Sequence, residues 1–179
     1  HTSLGLTSIY VTHDQTEALS LSDWVVVMKD GILIQAGPPQ EIHDQPVNVF
    51  VADFMGFRNF FPTRVVALGP DRDVEAAGSG MTIRGKTRHP FAPGASVVAA
   101  IRPDDVVVGG DAAGPNAFRA KVDIVEYLGR EDEAIVTLEA GGQLWVRTTA
   151  RVTPGENVTV VLPPDRVIFL PAEGSGGTA

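Results

Sequence analysis

The stretch YVTHDQTEALSLSD, residues 10–23, holds the side chains whose types and spacing best suit chemistry. His13 stands where a β-branched run, TSIYVT at residues 7–12, gives way to a helical pattern. In open α/β sheets, ligands gather beyond the carboxyl ends of strands. An imidazole at such a lip can donate a hydrogen bond to a phosphate oxygen or to negative charge developing in a reaction. A histidine after a strand is more often a cap or a packing residue, so spacing alone leaves both readings open. Asp14 suits a helix N-terminus, where the backbone dipole favours a carboxylate, and Gln15 and Glu17 read as solvated helix face. Asp104 and Asp105 are adjacent, but no His or further carboxylate cluster lies near them, whereas hard cations take several oxygen ligands. No metal site is expected there. His43 and His89 are isolated and read as surface-loop residues. Arg102 reads either as a carboxylate's partner or as a charged strand end in water. Trp24 and Trp145 read as core anchors.

These residues need elements to position them. Residues 7–12 are expected to form a short strand and residues 14–21 a helix, with Thr12 or Asp14 as N-cap and Glu17 in the first turn. Residues 24–28, WVVVM, are a near-continuous apolar run, the pattern of a strand covered on both faces. Asp30-Gly31 signals a two-residue hairpin turn, from which residues 32–36 return antiparallel. Gly37-Pro38-Pro39 stops that strand, and Pro39 suits the first turn of a short helix over residues 40–43. In residues 47–54, Val47, Phe50, Val51 and Phe54 recur at helical spacing. This first part, residues 1–56, is an α/β edge too small to be a complete fold.

From Phe57 the helical pattern vanishes. Short strands follow at 63–68, 81–84, 96–102, 105–108, 120–127, 133–139, 143–149, 157–162 and 167–170, with Gly, Pro and Asp between them. Alternation is clearest in Val122, Ile124 and Glu126, and in Leu144, Val146 and Thr148. The pattern predicts a small barrel or sandwich in residues 57–179. The aromatic stretch FRNFF, residues 57–61, crosses the boundary either as a hinge or as packing between the two parts. Residues 173–179 read as a flexible end.

Composition narrows the function. Of 179 residues, 14 are Lys or Arg and 22 are Asp or Glu, a net charge of −8. That balance removes the basic footprint of a nucleic-acid binder, so no nucleic-acid partner is expected. No apolar run reaches the roughly 18–20 residues of a membrane helix, so direct membrane insertion is not expected. The absence of cysteine excludes a disulfide framework and a thiolate metal site. The chain opens on His1-Thr2-Ser3-Leu4 with no signal-peptide pattern and reads as the C-terminal portion of a longer protein.

YVTHDQTEALSLSD, followed by VVVMKDGILIQAGPPQEIHDQPVNVFVADFMG at residues 25–56, resembles the C-terminal end of the nucleotide-binding domain of an ABC importer ATPase. The closest group is the maltose, glycerol-phosphate, polyamine and iron class. IRPDDV at 101–106, VEYLGRE at 125–131 and PPDRVIFL at 163–170 resemble the TOBE regulatory domain fused to those ATPases. The resemblance implies an α/β remnant of a P-loop ABC ATPase domain in residues 1–56, including the H-loop, followed by an all-β TOBE (OB-like) barrel in residues 57–179. It implies that His13 is the switch histidine of the H-loop, both catalytic and nucleotide-binding. Such a histidine contacts the γ-phosphate and helps hold the attacking water. Phosphoryl transfer depends on positioning and charge stabilisation, so one well-placed donor matters.

The implied cofactors are ATP and Mg2+ in the full-length protein. No GxxxxGK(S/T) loop, LSGGQ signature or acidic Walker B strand occurs here, so this chain alone is expected neither to bind ATP tightly nor to hydrolyse it. The implied partners are a second copy, in a homodimer through the β domain, and transmembrane permease subunits. The implied location is cytoplasmic, peripheral on the inner face of the cell membrane. Apolar surface around residues 25–28 and 32–34 is expected to need cover, for instance from a second copy. One rival is a stand-alone module for an oxyanion such as molybdate, although the β half lacks an obvious cluster of Lys, Ser and glycine nests. Another is a purely structural dimerisation domain.

Overall fold

The computed structural model describes residues 7–110 and 113–172, so the opening tetrapeptide and the tail at 173–179 lie outside the described residues. The chain divides into two compact units, His1–Val47 and Asn48–Ala179.

In the first unit, α1 (Gln15–Leu21) begins where Asp14 accepts hydrogen bonds from the Thr16 and Glu17 amides, so Asp14 rather than Thr12 is the N-cap. The strand expected over residues 7–12 is absent: these residues form no ladder, and Ile9 is 93% and Val11 89% exposed. β-Branched residues favour an extended backbone, yet a strand exists only through a neighbour that takes its N–H and C=O groups. Among the described residues nothing pairs with this run.

Strands β1 (Val25–Lys29) and β2 (Ile32–Gly37) form the expected hairpin. Asp30 and Gly31 both take positive φ, 51° and 79°, as a primed two-residue turn requires. Coverage on both faces does not hold within this unit. Val25 and Val27 are buried, whereas Val26, Met28, Ile32 and Leu33 are exposed, and so is Trp24, which is no core anchor here. Helix α2 (Pro39–Asp44) starts on Pro39 and buries Ile42. The buried Gln35 ties β2 to the chain after α2: its amide donates to the Gln45 carbonyl at 3.0 Å and accepts from the Val47 N–H at 3.0 Å.

The second unit opens with α3 (Val49–Phe54), which starts two residues later than the apolar spacing suggested because Asn48 caps it, accepting from the Val51 N–H at 3.0 Å. Five strands then close a barrel: β3 (Asn59–Leu68), β4 (Asp73–Gly78), β5 (Met81–Lys86), β6 (Ser96–Ile101) and the C-terminal β12 (Ile168–Pro171). The order around the barrel is β3-β4-β5-β12-β6 and back to β3. All pairs are antiparallel except β12 with β5. Closure removes both sheet edges, the OB-type solution for a small antiparallel sheet.

Between β6 and β12 the chain builds a second sheet from β7 (Val107–Val108), β8 (Ala117–Tyr127), β9 (Asp132–Leu138), β10 (Gln143–Thr148) and β11 (Asn157–Val161), in the order β10-β9-β8-β11-β7. The inner faces of barrel and sheet share one core, from Phe61, Ile83 and Phe169 to Val136, Leu144 and Leu162.

Three differences from the sequence reading have clear causes. Strand β4, DVEAAG, carries little β propensity and was not foreseen; pairing on both sides, with β3 and β5, makes it a strand. The expected strand over 105–108 shrinks to Val107–Val108 because Pro103–Asp105 wind into a 3₁₀ turn. The alternation through Val122 and Ile124 fails. A register shift between them, at Asp123, turns Ile124 to the opposite face, so Val122 is 1% exposed and Ile124 58%.

Candidate functional site

Around His13 the backbone is held by its neighbours. The Thr12 hydroxyl accepts from the Asp14 N–H at 3.0 Å and donates to Glu17 Oε2 at 2.7 Å. The Tyr10 hydroxyl donates to the same carboxylate oxygen at 3.1 Å. That bond, with the charge of Glu17 behind it, raises the phenol's pKa above its ordinary value. Glu17, expected as solvated helix face, instead fastens residues 10–12 to the first turn of α1. Asp14 is spent on capping, at 2.7 Å to the Thr16 N–H and 3.1 Å to the Glu17 N–H. His13 sits in a bend immediately before the cap, exposed, with no hydrogen bond or ion pair to any described residue. Its imidazole is therefore available to a ligand, on a loop whose shape the flanking side chains already maintain.

A second cluster forms where the IRPDD segment meets the end of α3. Arg102 lies 4.0 Å over the Phe57 ring, donates from Nε to the Met55 carbonyl at 3.1 Å, and reaches Asp105 at 3.9 Å. Of its two readings, the carboxylate pairing holds, with the stacking added. Phe57 is buried with Ala52, Ala100 and Leu170, so this aromatic packs α3 onto β6 and β12. Asp105 also receives Arg166 at 3.9 Å, and Asp104 pairs with Arg147 at 3.1 Å. Both aspartates are thus engaged by arginines.

Sequence reasoning missed two asparagines. Asn59 is buried and pairs with Trp145 as a strand neighbour would: its amide donates to the Trp145 carbonyl at 2.8 Å and accepts from the Trp145 N–H at 2.7 Å. Asn116, also buried, accepts from the Arg84 N–H at 2.7 Å and donates to the carbonyls of Arg84 and Leu162, at 2.7 and 2.8 Å. Both join the barrel to the second sheet. Pro115-Asn116 was legible as turn chemistry; its partners, 32 and 46 positions away, were not.

The remaining candidates are structural. Trp145 stands half-buried outside the core, with the Arg58 guanidinium 5.8 Å from its ring. His43 lies on α2 and pairs with Asp44 at 2.6 Å. His89 is half-buried beside Phe91 rather than on the open surface, and burial, aided by Arg88, lowers its pKa below the usual 6.5.

Comparison with known proteins agrees with this architecture. Residues 99–170 match the TOBE domain family. The spermidine/putrescine import ATP-binding protein PotA of Ruegeria pomeroyi is 38% identical over 170 residues, covering 90% of this chain and 45% of the relative. The Fe(3+) ions import ATP-binding protein FbpC of Agrobacterium fabrum is 39% identical over 138 residues, covering 77% and 38%. The xylose/arabinose import ATP-binding protein XacK of Haloferax volcanii is 36% identical over 177 residues, covering 95% and 45%. The chain therefore spans less than half the length of these relatives. Among solved structures, the cytoplasmic molybdate-binding protein ModG shares the fold, with a TM-score of 0.57 at 20% identity over 64% of this chain and 96% of that one. By these likenesses the chain is a homologue of ABC importer ATP-binding subunits, with a TOBE domain match at residues 99–170.

Proposed function

We propose that the protein acts as the ATP-hydrolysing subunit of an ABC import system, and that residues 1–56 contribute the H-loop and residues 57–179 the regulatory β domain. Similarity to import ATP-binding proteins across nine-tenths of the chain carries this reading. The state of His13 supports it: an exposed imidazole, free of partners among the described residues, on a loop braced by Thr12, Asp14 and Glu17. In that role His13 donates to the terminal phosphoryl group of ATP and steadies the charge of the transition state. Asp14 and Glu17 serve only to keep its loop in shape.

In this reading the nucleotide site is completed by residues outside this chain. Its sequence holds no GxxxxGK(S/T) loop, and no His, Asp and Glu cluster among the described residues is placed for Mg2+. In this reading the chain on its own is inactive. In this reading the rest of the nucleotide-binding domain supplies a ladder partner for residues 7–12 and cover for Val26, Met28, Ile32 and Leu33. Two copies work together, docked on transmembrane permease subunits at the inner face of the cell membrane. No helix among the described residues is long and apolar enough to cross a membrane. The likeness to ModG is one of fold and carries no argument for oxyanion binding.

His13→Ala in the complete protein tests the reading. Turnover should fall by about a hundredfold or more, the scale of losing one well-placed donor, while nucleotide affinity stays within a few-fold of wild type. Hydrolysis at the wild-type rate would remove the role given to His13.

A further inference from the structure

Strand β12 lies between β5 and β6 in the barrel, so the chain joining those two strands, residues 87–95, passes the C-terminal end of β12. Both ends of this strap are fastened. At its start the Thr87 N–H donates to the Arg72 carbonyl at 3.0 Å, and the Thr87 hydroxyl to the Phe169 carbonyl of β12 at 3.1 Å. At its finish the Gly94 N–H donates to the Val65 carbonyl at 2.8 Å, and the Val65 N–H to the Ala95 carbonyl at 3.0 Å. The hydrogen bonds of the middle stay within the strap: the His89 N–H donates to the Thr87 hydroxyl at 3.0 Å, and the Phe91 N–H to the His89 carbonyl at 3.0 Å. What seats the middle is Phe91, packed against the shared core, with the His89 ring 5.6 Å from its own and tilted by 31°.

His89 is the sensitive point. Its Nε2 is buried and has no hydrogen-bond partner among the described residues. A neutral imidazole bears that at the cost of one unmade bond, whereas an imidazolium places a proton and part of a positive charge there. The charge beside it, Arg88, has the same sign; burial first and Arg88 second hold the imidazole's pKa below its usual 6.5. The elements joined to the strap bring no ion pair to the ring. β12 carries no charged residue, and Arg64 of β3 donates to the Gly94 carbonyl at 3.2 Å. Before and at the start of β4, Asp71 and Asp73 engage Lys86 of β5, through a carbonyl at 3.4 Å and a carboxylate at 2.6 Å.

We propose that residues 87–95 form a pH-sensitive strap across the end of β12: neutral His89 keeps Phe91 seated on the core, and protonation of the ring lifts the middle of the strap while its ends stay tied. The device goes beyond the ATPase reading and does not depend on it. The unfolded chain takes up this proton near 6.5 and the folded chain only at lower pH. The stability carried by neutral His89 is therefore whole above 6.5 and drains away as the pH falls below it.

NMR titration of the 179-residue chain tests the strap, with His89→Gln and His89→Phe identifying the His89 signals. The ring should titrate below 6.5, and the ring and amide signals of Phe91 should move with the same midpoint. In urea unfolding, acidification from about pH 7.5 to about pH 5.5 should lower the wild-type midpoint further than that of either variant. A His89 midpoint at or above 6.5, Phe91 signals indifferent to the titration, or variants whose unfolding midpoints fall as far as the wild type's would each overturn the inference. Its loss leaves the ATPase reading standing, because that reading is tested by turnover of the complete protein.

Discussion

Asn116 meets three backbone groups with one amide, at a position where φ is +57°. Asparagine tolerates the left-handed region better than other side chains with a Cβ, and its amide offers both a donor and an acceptor to a neighbouring strand. Asp has the same shape but lacks the donor: Asn116→Asp aims a carboxylate oxygen at the carbonyls of Arg84 and Leu162. It should destabilise the second unit by about 3 kcal/mol or more, read from urea unfolding at neutral pH. A change within about 0.5 kcal/mol would mean that the amide is not a staple between barrel and sheet. Asn59 serves the same purpose at Trp145, with two bonds instead of three.

At the scale of elements, the decisive contact is the one that closes the barrel. Strand β12 meets β5 in parallel at a single register pair, Ile168 with Lys86, supported by the Lys86 N–H donating to the Val167 carbonyl at 2.9 Å. The chain comes this close because Gly85 has no side chain: a Cβ there would lie 2.6 Å from the Val167 carbonyl oxygen and 2.8 Å from its Cβ. Backbone cannot yield as a flexible side chain can. Gly85→Ala should therefore cost about 2 kcal/mol or more in chemical denaturation, against the few tenths gained where Ala replaces an unstrained Gly. Equal or greater stability in the variant would show that β12 can retreat without loss.

For the whole molecule, the two units differ in how much of their apolar surface they bury. Asn48–Ala179 contains a closed barrel and a sheet over one shared core. His1–Val47 leaves Trp24, Val26, Met28, Ile32 and Leu33 exposed on a two-stranded hairpin, an element of marginal stability by itself. Residues 48–179 expressed alone should accordingly unfold in one cooperative transition by circular dichroism, and residues 1–47 alone should show none. A second part that melts gradually, without a cooperative step, would contradict the shared core.

The sequence alone determined whatever depends on neighbours along the chain. The Asp30-Gly31 turn, the Asp14 cap ahead of α1, Pro39 opening α2 and most β strands of the second unit follow from backbone preference and spacing of two to four residues. Of the two elements expected to flank His13, α1 forms, whereas the strand before it does not among the described residues. Tertiary structure decided what depends on partners far apart in the chain. Pairing on both sides makes a strand of DVEAAG, while TSIYVT, a better β sequence, has no ladder partner among the described residues. A single displaced register at Asp123 reverses the side of the sheet on which Ile124 stands, and the alternating pattern carries no sign of it. The reason is physical: a hairpin turn is stabilised within a few residues, whereas hydrogen-bond ladders and amide staples exist only once both partners have been folded into reach.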